Sequence, residues 1–107
     1  MIKVIYHRKY HRLTIEGHAC SGEPGHDLVC ASASILAYTL AASVANMSAA
    51  KQVRDARIEL KEGAGEISCK AVRRFDAPVM LIFDTLCAGY ELLANNYPDN
   101  ISYEVRG

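Results

Sequence analysis

The chain of 107 residues is 50% apolar and 22% charged, which predicts one soluble globular domain with a single hydrophobic core. Lys plus Arg number 12, and Asp plus Glu also number 12. This balance argues against a nucleic-acid binder with a broad basic face, although it leaves room for a local basic patch. We therefore expect no direct nucleic-acid partner.

The N-terminal segment Met1 to Tyr6 lacks the charged leader and the long apolar run of a signal peptide. No uninterrupted apolar stretch reaches the roughly 18 residues that a membrane helix needs. We therefore expect a cytoplasmic protein without membrane contact, whose 4 cysteines are reduced thiols and not a disulfide framework. The absence of a Cys-x-x-Cys pair argues against a zinc ribbon or a redox motif.

The first predicted element is a β-hairpin. Ile2 to His7 is rich in β-branched and aromatic residues, and Tyr10 to Glu16 alternates in the same way after the short Arg8-Lys9 connection. The histidines of this hairpin, His7 and His11, are predicted to lie on the surface.

A loop and a long helix follow. Gly17 to His26 contains three glycines and one proline, which predicts a loop. Asp27 precedes an apolar helical period and is a favoured N-cap, because its carboxylate accepts a backbone N–H of the first turn. The helix is predicted to run to about Met47, and its many small residues indicate close packing against a sheet or a second helix.

The second half of the chain repeats the order of two strands followed by a helix. The pattern predicts an α+β fold within the broad α/β class: a ββαββαβ chain whose mixed sheet packs with two helices in one domain, residues 1–107. The predicted elements of this half are strands at Arg54 to Lys61 and Glu66 to Val72, a helix from Asp76 to about Asn95, and a last strand from Ile101 to Val105.

Reactive side chains concentrate between His18 and Cys30, where two histidines and two cysteines fall within thirteen residues. With Asp27 as the N-cap, Cys30 is the third helical residue, close to unpaired backbone N–H groups that favour a thiolate. His18 closes a strand and opens the loop, so that it can fold back and accept the thiol proton. Cys69 and Cys87 lack such a setting and are predicted to be core residues.

Other interpretations of the same residues remain open. Cys30 is equally well described as a small buried hydrophobe. His18, Cys20, His26 and Cys30 are all acceptable zinc ligands, but their spacing matches no common zinc site, and we expect no metal or cofactor. Ser34 lies one helical turn after Cys30, where it either donates a hydrogen bond into the site or permits close packing.

The chain resembles the ribosomal-processing cysteine protease family, Prp. The resemblance is carried by Gly17-His18-Ala19, by Asp27-Leu28-Val29-Cys30-Ala31 and by Ser34, and the order of elements agrees along the whole chain. It implies a homodimer and a catalytic pair formed by His18 and Cys30.

The resemblance also implies a substrate, the N-terminal extension of a large-subunit ribosomal protein, which is removed before ribosome assembly. Gly17, Gly22, Gly25 and Asp27 would then shape the site without taking part in the chemistry. The competing hypothesis is a non-catalytic, ribosome-associated module that binds a protein or peptide without cutting it.

Overall fold

The computed structural model describes residues 1–17 and 26–107, with the backbone alone for His26 and Asp27. The predicted order of strands and helices is confirmed, and two short 3₁₀ turns are added at Arg8–Tyr10 and Arg73–Phe75. The elements are β1 (Ile2–His7), β2 (Arg12–Glu16), α1 (His26–Ala49), β3 (Val53–Lys61), β4 (Ala64–Ala71), α2 (Asp76–Asn96) and β5 (Ile101–Arg106).

The five strands form one mixed sheet in the order β3-β4-β2-β1-β5. β1 pairs in parallel with β5, with Ile2 opposite Ile101, and the other pairs are antiparallel. Because side chains alternate along a strand, one face of the sheet is apolar and the other is polar. α1 and α2 cover the apolar face, and the single core between them includes Val4, Leu13 and Ile67.

The second strand begins two residues later than predicted, at Arg12, because the 3₁₀ turn and His11 fill the connection. His11 adopts a left-handed backbone with φ 46°. The prediction that His11 lies on the surface is wrong: it is 5% exposed, its Nε2 is 3.0 Å from Asp76 Oδ1, and its ring lies beside Phe83. The start of α2 therefore covers this end of β2.

By length and composition, the helical segments Leu28–Ala49 and Arg73–Asn96 are each long and apolar enough to cross a membrane. This is weak evidence, because the core helices of soluble proteins pass the same test. Both helices bury one face in the core, through Leu40 and Val44 on α1 and through Phe83 on α2.

A polar cluster joins β1 to α2 at the end of the sheet where β1 finishes. The Tyr6 hydroxyl donates to Asp84 Oδ1 at 2.8 Å, and the Arg8 guanidinium donates to both carboxylate oxygens at 3.1 and 3.0 Å. These hydrogen bonds, above all those from Arg8, hold the pKa of the Asp84 carboxyl below its usual value. Burial and the neighbouring carboxylate raise the pKa of Tyr6, so its phenol stays neutral and remains a donor.

The lowered pKa of Asp84 predicts a stability that depends on pH. A carboxyl whose folded pKa lies below its unfolded value of about 3.9 stabilises the fold above that value and loses this contribution as pH falls through the folded pKa. Asp84→Asn should therefore lower the free energy of unfolding most at about pH 6, and the difference from the native chain should shrink below about pH 4. Urea unfolding at several pH values measures this, with Glu91→Gln, an exposed carboxylate on the same helix, as the matched control. A difference that stays constant down to low pH would contradict the assignment.

Candidate active site

Cys30 lies near the start of α1, partly buried and packed against the edge of the core. α1 begins at His26, so Cys30 is its fifth residue and not its third. The prediction that Asp27 is the N-cap is therefore wrong. His26 and Asp27 both have helical geometry, so Asp27 lies within the helix and does not precede it.

This shift changes the electrostatic argument for the thiol. The first four N–H groups of a helix have no intrahelical acceptor, and Cys30 lies at least four residues after the first described residue of α1. However, the Cα–Cβ bond of a helical residue tilts toward the helix N-terminus, so that its side chain lies over the preceding turn. The thiol of Cys30 is thus directed back toward the positive end of the helix dipole, which favours a negative charge.

The other described cysteines are core residues, as predicted. Cys69 on β4 is 3% exposed and Cys87 on α2 is 2% exposed. Burial raises the pKa of Cys69 to about 11 and that of Cys87 to about 12. Both therefore remain protonated near neutral pH and cannot serve as nucleophiles.

Gly17 ends β2 in a conformation that only glycine adopts readily. Its φ is +100°, and a Cβ built on it would lie 2.2 Å from the carbonyl oxygen of Met1. Its N–H donates to the carbonyl of Gly63, in the β3–β4 turn, at 3.0 Å. Gly17 thereby lies close to Met1 and is bonded to the β3–β4 turn immediately before His18, while its site-shaping role stays a prediction.

His18, Gly22 and Gly25 lie outside the described residues, as does the side chain of Asp27. The predictions made for them stay predictions. Ser34 is exposed, one turn beyond Cys30, and it makes no hydrogen bond to another described side chain or backbone group. Its exposure in the single chain argues against the alternative that it permits close packing.

Two contacts that the sequence did not reveal hold α1 in place. The hydroxyl of Tyr90, a fully buried residue of α2, donates to the carbonyl of Ala33 at 2.9 Å, three residues after Cys30. One turn further along α1, Leu36 packs closely on Gly89. A Cβ added to Gly89 would lie 2.7 Å from a methyl group of Leu36. The sequence carried one signal of the first contact, since a tyrosine in an apolar helical repeat needs a partner for its hydroxyl when buried.

A shallow groove lies on the other face of the sheet and is separate from Cys30. It is lined by side chains that point away from the core, among them Arg12, Thr14 and Glu66. Cys30 belongs to a helix on the opposite face. Among the described residues no cluster of three or more His, Cys, Asp and Glu side chains could hold a metal ion.

Comparison with known families gives one family model, described as cysteine protease Prp, which matches residues 1–102. No curated protein matches the sequence.

Solved structures show the same fold. SMU.848 from Streptococcus mutans is 25% identical, with a TM-score of 0.70 over 98% of this chain and 91% of its own. An essential ribosomal processing protease, Prp from S. aureus, in complex with a substrate peptide is 22% identical, with a TM-score of 0.70 over 98% and 97% of the two chains. The same S. aureus protein with a covalently linked product peptide is 23% identical, with a TM-score of 0.69 over the same shares.

The burial of the thiols predicts their order of reactivity. In a Cys20→Ser background, iodoacetamide near pH 7 should alkylate Cys30 at least about 100-fold faster than Cys69 or Cys87, because the two buried thiols are almost fully protonated. Peptide mass spectrometry over time measures the three rates. Unfolding in urea is the control and should make the rates similar. Equal, slow labelling in the folded chain would remove Cys30 as a candidate nucleophile.

Proposed function

The chain belongs to the Prp family of cysteine proteases, and we propose that it removes the N-terminal extension of a large-subunit ribosomal protein with His18 and Cys30 as its catalytic pair. The observation that carries the pair is the position of Cys30. Among the described cysteines it is the one that is not fully buried, and it lies near the start of a long helix, whose side chains lean toward the N-terminal end. His18 directly follows Gly17, which is fixed at the end of β2.

The first half of the reaction forms a thioester. His18 accepts the proton of the Cys30 thiol, and the sulfur attacks the carbonyl carbon of the scissile peptide bond. The oxyanion of the tetrahedral intermediate accepts hydrogen bonds from N–H groups at the start of α1, which have no intrahelical acceptor. His18 then gives the proton to the leaving amine, and the C–N bond breaks.

The second half consumes water. His18 takes a proton from a water molecule, the hydroxide attacks the thioester carbon, and the C–S bond breaks. The products are a carboxylic acid and the regenerated thiol. The catalytic pair and the N–H groups of α1 carry out every step, so the proposal requires no metal or cofactor. We further propose that the reaction takes place in the cytoplasm.

The substrate class is supported by the relatives. The S. aureus protein of the same fold is a ribosomal processing protease and has been solved with a substrate peptide and with a covalently linked product peptide. A covalent link to the product is what a thioester mechanism would leave. For this chain we propose the same class of peptide, with Gly22, Gly25 and Asp27 shaping the segment that contacts it.

Cleavage of a peptide that spans the ribosomal-protein extension tests the function directly. Cys30→Ala and His18→Ala should each lower the rate about 10,000-fold or more, because loss of either member of a nucleophile–base pair removes most of the catalysis. Cys69→Ala and His7→Ala are the matched controls and should keep the activity. Liquid chromatography of the products measures the rate.

The result of this experiment distinguishes the protease from the competing, non-catalytic hypothesis. Undiminished cleavage by either variant of the pair would show that the pair is misassigned. Binding of the peptide by the native chain without cleavage would favour the non-catalytic, ribosome-associated module. Rapid alkylation of Cys30 together with no action on this peptide would leave the protease intact and point to another peptide sequence.

We also propose that the chain forms a homodimer through the outer face of α1. No charged residue occurs between Leu28 and Ala49, although one face of this helix is exposed along its whole length. Leu28, Ile35 and Tyr38 on that face are each more than half exposed. The face, which we call the outer stripe, repeats at intervals of three and four residues and consists of Leu28, Ala31, Ile35, Tyr38, Ala42, Ala45 and Ala49.

The outer stripe is largely complementary to itself. Its large residues lie in the first half of the helix, and three of its four alanines lie in the second half. In an antiparallel pair of α1 helices related by a two-fold axis near Tyr38, Leu28 meets Ala49 of the other copy and Ile35 meets Ala42. Ala31 meets Ala45 and Tyr38 lies beside the axis in both copies, so Leu28 and Ile35 each face a small residue, which suits interdigitating helices.

A charge placed on the outer stripe should prevent this contact. Ile35→Asp should shift the native dimer to a monomer in sedimentation at micromolar concentration, because a buried unpaired carboxylate is strongly unfavourable. Leu81→Asp is the matched control, since Leu81 is equally exposed but lies on α2. A native chain that sediments as a monomer, or a dimer that survives Ile35→Asp, would contradict the interface.

A further inference from the structure

Positive charge collects at one corner of the sheet, where α1 ends and α2 begins. Arg54 on β3 is the register partner of Lys70 on β4. The N–H of Val72 donates to the carbonyl of Gln52 at 2.9 Å, which joins the segments before and after these strands. We call the five exposed cations of these segments the basic corner: Lys51, Arg54, Lys70, Arg73 and Arg74.

The basic corner is poorly neutralised. Lys70 lies 3.6 Å from Asp55, and among the described residues the other four cations make no ion pair. Elsewhere on the sheet, charges alternate in sign: Arg12 and Arg57 both lie against Glu66. The corner therefore carries a local excess of positive charge on a chain whose total charge is zero.

The placement of the two arginines adds to this excess. Lys51 follows the end of α1, where a cation interacts favourably with the helix dipole. Arg73 and Arg74 lie in the 3₁₀ turn before α2, and Phe75 separates them from the helix, whose first residue is Asp76. An acidic residue suits a helix N-terminus and a cation does not, so the two arginines leave a positive potential that a negatively charged partner would neutralise.

The chemistry of the corner selects among such partners. We propose that it binds the phosphate backbone of a nucleic acid, and we expect that nucleic acid to be RNA. Arginine forms paired hydrogen bonds to phosphate, and the exposed Arg74 has its guanidinium carbon 5.0 Å from the centre of the Phe75 ring. No large apolar side chain is exposed in residues 49–55 or 70–76, so the corner has nothing to insert into a lipid surface.

This site is independent of the proposed peptide cleavage. Cys30 lies near one end of α1 and Lys51 just beyond the other, about 30 Å away at 1.5 Å per residue. Within one chain, nucleic acid at the corner therefore leaves the thiol accessible. The expectation of no nucleic-acid partner followed from the total charge, which averages over a surface on which the charges are segregated.

Fluorescence anisotropy with a labelled single-stranded RNA tests the proposal on the native chain. With four unpaired cations in contact with phosphates, affinity should fall about 50-fold between roughly 50 and 200 mM salt. Arg73→Glu with Arg74→Glu should weaken binding about 25-fold or more at about 0.1 M salt, because two fewer phosphate contacts form. Peptide cleavage by this double variant should be unchanged.

The matched control is Lys3→Glu with Lys61→Glu, which makes the same charge change at two exposed cations outside the corner that have no ion pair among the described residues. It should weaken RNA binding less than about threefold. Equal losses in the two double variants, or no RNA binding by the native chain at low salt, would overturn the proposal. Equal binding of a DNA strand of the same sequence would support the phosphate contact, whereas binding to vesicles of anionic lipid with the same loss on Arg73→Glu and Arg74→Glu would overturn it.

Discussion

The position of the Cys30 thiol depends on how closely α1 packs on α2 and the sheet. The face of α1 that meets the core carries Ala33, Ala37 and Ala41 among larger residues, so the helix axis can lie close to its neighbours. On α2, Gly89 leaves the space that Leu36 fills, and the hydroxyl of Tyr90 is bonded to the carbonyl of Ala33. Since a core packed at this density tolerates little displacement, the first turns of α1 are held at a fixed height above the sheet. A nucleophile gains from such rigidity, because small displacements from the reactive geometry cost catalysis.

A single long helix thereby separates three roles in space. Its first turns carry Cys30, its outer stripe carries no charge and is largely complementary to itself, and its last turn leads into the basic corner. An antiparallel pair of these helices would bring the end of one copy beside the start of the other. In that arrangement the basic corner of one chain would lie beside the first turns of α1 in its partner, whereas within one chain the two are about 30 Å apart.

The sequence predicted the elements well because each rests on a local pattern. Alternation in Ile2 to His7 and the three-and-four spacing in α2 are properties of short segments, and they do not depend on the rest of the chain. The start of α1 was misplaced because Asp27 is a good N-cap in isolation, while the cap position is decided by where helical geometry begins. His11 was placed on the surface because nothing near it in sequence reveals that α2 begins above it and that Asp76 and Phe83 enclose its ring. The pattern from His18 to Cys30 predicts the region of chemistry, but the contacts of the flanking residues Gly17 and Ala33 come from Met1, Gly63 and Tyr90, which are distant in sequence.

The distribution of charge likewise could not be predicted from the amino-acid composition alone. A net charge of zero is compatible with positive and negative residues that are evenly mixed or that are separated into patches. The two arrangements differ in electrostatic energy, since like charges held together repel. This chain uses both: cross-strand pairs such as Arg12 and Glu66 neutralise the open face of the sheet, while Arg73 and Arg74 stand next to each other at the positive end of α2. Asp76 at the start of α2 suits the positive end of the helix, whereas the two arginines before it leave an excess of positive charge. A partner with negative charge would neutralise that excess, in keeping with the proposed phosphate contact.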